Sequence, residues 1–98
     1  MKRYEDLPND FNFEQLIDFL KDRVDHKKLV RNEDKKVVFT RGLFLGVSVV
    51  HNTKKDWLVL LGVSPVSLPI IDLFYIAPQH NMEKEVEAVV NSFFETGA

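Results

Sequence analysis

Few side chains in this chain could carry chemistry, and their spacing limits what that chemistry would be. The three histidines, His26, His51 and His80, stand far apart, each in a polar stretch. No two of them share the i, i+4 spacing that places imidazoles side by side on a helix, so no metal site is expected. Ser64 or Ser67 with His80 and Asp72 supply the residue types of a hydrolytic triad, but neither serine sits in a nucleophile elbow. Gly42 and Gly46 lack the pattern of a phosphate-binding loop. Without cysteine there is no thiol nucleophile, thiolate site or disulfide. The chain is therefore expected not to be an enzyme and to hold no cofactor.

Two groups of residues remain as candidates for binding. Asp72 interrupts an apolar run that reads as a strand over 70–76. A carboxylate at a strand centre is desolvated unless a cation or backbone donors meet it. It either faces solvent or a cation, or marks a ligand pocket with Tyr75 beside the 62–69 connector. Glu14, Asp18 and Asp22 recur every fourth residue on the polar side of the first helix. They form either a solvated face or an acidic docking stripe. Lys35, Lys36, Arg41, Lys54 and Lys55 flank strand ends, as scattered solvated cations or as an anion-contact surface.

These residues need elements to position them. Phe13, Leu16, Ile17, Leu20 and Val24 repeat with a helical period, so a helix is expected over 13–25, capped by Asn12. Phe19 lies off that stripe. Leu29 and Val30 suggest a short strand, and 37–40, 43–50 and 57–61 read as strands. Arg41-Gly42 is either a hairpin turn or a bulge, with the hairpin preferred. Gly62, Pro65 and Pro69 fall in a connector, and 70–76 reads as the last strand. A second helix is expected over 82–95, capped by Asn81, with Met82, Val86, Val89, Val90 and Phe93 as its apolar stripe. The fold class is α+β: an antiparallel meander of four to five strands flanked by an N-terminal and a C-terminal helix.

A length of 98 residues makes a single domain, 1–98, in which 1–10 are expected to be loosely ordered. The strands are apolar on both sides, whereas an antiparallel sheet wet on one side alternates cleanly. A second helix layer, a protein partner or a homodimer would cover Phe44, Val50, Leu58 and Leu60. A net charge of -2 argues against nucleic acid. The longest apolar run is broken by Pro65, Pro69 and Asp72, so no membrane span is expected. The lack of cysteine and of a leader-like apolar segment points to the cytoplasm.

The C-terminal part, with Phe74-Tyr75-Ile76-Ala77-Pro78, a polar link and a helix ending Val89-Val90-Asn91-Ser92-Phe93, resembles the close of the PsbP-like (DcrB-like) α/β sandwich superfamily. That resemblance covers about 57–94. It implies an antiparallel sheet between helices and a role in binding proteins, and it transfers no site residue. The expected function is thus a small protein-interaction domain, of adaptor, inhibitor or immunity type. The alternative is a small-ligand domain built around Asp72.

Overall fold

A computed structural model describes residues 2–42, 45–63 and 69–96, with the backbone alone at 63 and 69–77. The elements run β1 (Lys2–Tyr4), α1 (Phe13–Arg23), β2 (Lys28–Glu33), β3 (Lys36–Gly42), β4 (Leu45–Asn52), β5 (Trp57–Val63) and α2 (Pro69–Thr96). The strands form one antiparallel sheet in the order β1-β5-β4-β3-β2. β2 to β5 are a meander, as their short links require, and β1 adds to the outer side of β5.

Local chemistry explains α1. The Asn12 side chain accepts the Gln15 N–H at 3.1 Å, which satisfies one of the free donors of the first turn. Phe13, Leu16, Ile17, Leu20 and Val24 are all buried, as their spacing predicts. Phe19 widens the stripe and meets Phe93 of α2 edge-on, with centroids 5.3 Å apart. The β4–β5 turn is equally legible. The Asn52 side chain accepts the N–H groups of Lys54 and Lys55, and Asp56 takes the left-handed φ of 56° that Asp tolerates.

Both helices lie on one face of the sheet. Their apolar stripes close over Val37, Phe39, Val47, Val49, Leu58 and Leu60. Arg41 ties this layer together, donating to the Asp25 carbonyl at 2.6 Å and pairing with Glu85 of α2. Gln79 of α2 forms two bonds with the backbone of Gly46 in β4. Its Nε2 donates to the carbonyl at 2.8 Å, and its Oε1 accepts the N–H at 3.2 Å. A Cβ on Gly46 would sit 3.0 Å from the Phe39 carbonyl, so the position is tight for any larger residue.

Three expectations change. The stretch 70–76 is not a strand: it opens a helix of 28 residues. Its apolar run fits either period, and Pro69 at the first helical position, with Asp72 in the first turns, favours helix. Asn81 is accordingly inside α2 rather than its cap, and Pro78, expected in the polar link before the helix, is an interior residue that withholds one backbone donor. The N-terminal decapeptide is not wholly loose, because Lys2–Tyr4 pair with Leu58–Leu60. At the β3–β4 junction Arg41 and Gly42 belong to β3 and Gly42 pairs with Leu45, so the expected turn at Arg41-Gly42 is not seen; 43–44 lie outside the described residues. The register shift between Thr40 and Gly42 adds a bulge.

Candidate interaction surface

The alternation within β5 was legible in the sequence, but the face it presents was not. Leu58 and Leu60, expected on the uncovered side, are 0% and 4% exposed beneath the helices. Register is the cause. Leu60 pairs with Val49 and Leu58 with His51, on the side to which α1 and α2 pack. The open face therefore belongs to Trp57, Val59 and Leu61. Leu61 is 38% exposed and stands out among the large apolar side chains.

Register builds this face in rows. One row runs Val30, Val38, Ser48 and Leu61 across four strands. The next runs Lys36, Val50, Val59 and Arg3 across β3, β4, β5 and β1. Its valines are half-buried and are flanked at both ends by a cation. Lys28, opposite Thr40, adds a cation on the β2 side. On the β1 side the Arg3 guanidinium and the Lys55 ammonium lie over the Trp57 ring, at 4.2 and 4.7 Å from its centroid. Ser48, 3% exposed near the centre, has a buried hydroxyl with no hydrogen-bond partner among the described residues.

The other sequence candidates disperse. Glu14 accepts from Arg31 of β2 at 2.6 Å, so it ties α1 to the sheet edge. Asp18 sits 3.8 Å from Lys21, and Asp22 is exposed. All three lie in the helix layer, away from the open face. Among the basic residues, Lys36 and Lys55 reach that face. Lys35 lies over Phe13, and Arg41 is committed to α2. Phe44, Ser64 and Ser67 lie outside the described residues. Asp72 and Tyr75 are described by backbone alone, and that backbone is helical. The strand expected over 70–76, with Asp72 as a ligand group, is therefore helical, as are residues 74–78, which carry part of the PsbP-like resemblance.

The remaining concavities offer little chemistry. A cleft of about 440 Å³ is lined by Tyr4, Glu5, Asp6, Asn91, Phe94 and neighbours. The Tyr4 hydroxyl donates to Asn91 Oδ1 at 2.6 Å. Burial, with the Glu87 carboxylate nearby, pushes it up to about 12, so it stays a neutral donor near neutral pH. His51 is not the surface histidine its polar neighbours suggested. It packs against Phe11 and Phe13, with Nε2 at 3.0 Å from Asp56. Among the described residues no three His, Asp or Glu side chains gather as metal ligands, and no helix is long and apolar enough to cross a membrane.

Compared with known proteins, the chain matches no family model, no curated protein and no solved structure.

Proposed function

We propose that this chain is a non-catalytic protein-interaction domain that receives a partner on the open face of its sheet. One observation carries this reading. A row of Val30, Val38, Ser48 and Leu61 crosses four strands on the side opposite both helices. Leu61 is exposed and Val30 and Val38 are partly so, and exposed apolar side chains grouped on one face mark an interaction site. The partner must offer apolar side chains for the row and carboxylates for the cations around it. A chain without cysteine fits a reducing compartment such as the cytoplasm, where such a partner would be met.

The test uses paired variants. Val59→Gln with Leu61→Gln should abolish partner retention from native lysate while leaving the circular dichroism spectrum intact. Asp18→Lys with Asp22→Lys should retain the partner, because those carboxylates lie in the helix layer. Equal retention by both variants would remove the open face from the proposal.

A further inference from the structure

We infer that the occupant of the open face is an acidic amphipathic helix, lying along β5 and β4 with carboxylates on both flanks. The inference rests on the docking reading above and names its partner's chemistry. Arg3 on β1 and Lys36 on β3 flank Val59 and Val50 in one row, which Glu33 of β2 continues beyond Lys36. Three strand spacings separate them, about 14 Å. A helix with its side chains is about 10–12 Å across, so it fits between these cations and faces one on each side. Its apolar stripe would then rest on Val59, Val50 and Leu61. Lys55 supports the first flank beside Arg3, and Lys28 supports the second on β2.

Local carboxylates offset part of this charge, and Lys28 and Lys55 carry the rest. Glu5 accompanies Arg3 at 2.7 Å, and Glu33 stands opposite Lys36 in the register. Lys28, Lys36 and Lys55 form no ion pair among the described residues. The same pattern disfavours a second copy as occupant. Two aligned sheets related by a two-fold axis would set cationic flank against cationic flank, and like charges across an interface are costly. The covered face of this sheet already shows that helices fit its twist, since α1 and α2 both pack there.

The chain's single tryptophan, Trp57, sits at the edge of the proposed seat and reports on it directly. The probes are a synthetic helix of about four turns with Leu on one stripe and Glu on both flanks, its Leu/Lys counterpart, and vesicles of phosphatidylserine with phosphatidylcholine. The Leu/Glu helix should shift Trp57 emission to the blue and saturate. Lys28→Glu with Lys36→Glu should weaken that binding about tenfold, and salt should weaken it further. Equal binding of the Leu/Lys helix would overturn the acidic assignment while the docking face stood. A response to vesicles alone would replace the partner helix with a lipid surface. A shift with protein concentration alone would replace it with a second copy. No response to any probe would overturn the inference, leaving the lysate variants to decide the docking reading separately.

Discussion

Tyr4 shows how far a single side chain can be constrained by a three-residue strand. Its hydroxyl is held by Asn91, its ring leans on Phe94 at 5.5 Å, and burial with Glu87 pushes its ionisation up to about 12. The folded state thus resists losing this proton more than the unfolded chain does. The resulting stability is complete below the ordinary tyrosine value of about 10 and is lost as pH rises from there through about 12. Urea unfolding of the native protein and of Tyr4→Phe, followed from neutral to strongly alkaline pH, separates this effect from lysine titration. The native midpoint should fall faster than that of the variant. Parallel decline would show that Tyr4 titrates alike in both states. Nothing in the sequence around Tyr4 signalled this environment. Lys2, Arg3, Glu5 and Asp6 surround it in the chain, and its burial comes from α2.

At the scale of elements, β5 carries the sharpest division. Leu58 and Leu61 are three residues apart, yet one is enclosed by helices and the other lies on the open face. Leu58→Ala should cost about 2–5 kcal/mol through lost contacts and a residual cavity. Leu61→Ala should stay within about 1 kcal/mol. Thermal melts read the contrast as a drop of about 4–8 °C for each kcal/mol in a domain of this size. Equal losses would mean that the open face is covered. The alternation of β5 could be read from sequence because its period is two. The choice of face could not, because leucine and valine occupy both. The helix α1 was legible because cap, stripe and period agree. The first part of α2 was not, because its apolar run suits a buried strand equally well and Pro78 fitted a link before a helix starting at 82.

For the whole molecule, the fold class follows from the order of elements, while the site depends on contacts between distant ones. Arg3 approaches Trp57 only because β1 pairs with β5, and the sequence gives no period or turn signal for a strand of three residues. The acidic ladder illustrates the opposite case. It is conspicuous in the sequence, yet Glu14 is taken by Arg31 and the stripe loses its first member as a free charge. Both outer edges of the sheet are guarded. β1 is short, and β2 carries Lys28, Arg31 and Glu33 with a register shift before its end. Lateral addition of another strand is therefore discouraged, and the open face is the more accessible surface for a partner.

The pairing of β1 with β5 also bears on the order in which the chain assembles. Lys2 meets Leu60, so closing this contact encloses α1 and the whole meander in one loop, whereas β2 to β5 need only short loops. The hairpins should organise the folding transition state, and β1 should dock after it. Substitutions at Arg3 would then leave the refolding rate unchanged and speed unfolding, whereas Val47→Ala in β4 would slow refolding. Stopped-flow chevrons distinguish these cases, and a slowed folding arm for Arg3 variants would place β1 in the nucleus. The same late closure would make β1 a latch, whose opening exposes Leu58 and Leu60 at the edge of β5 before the rest of the sheet gives way.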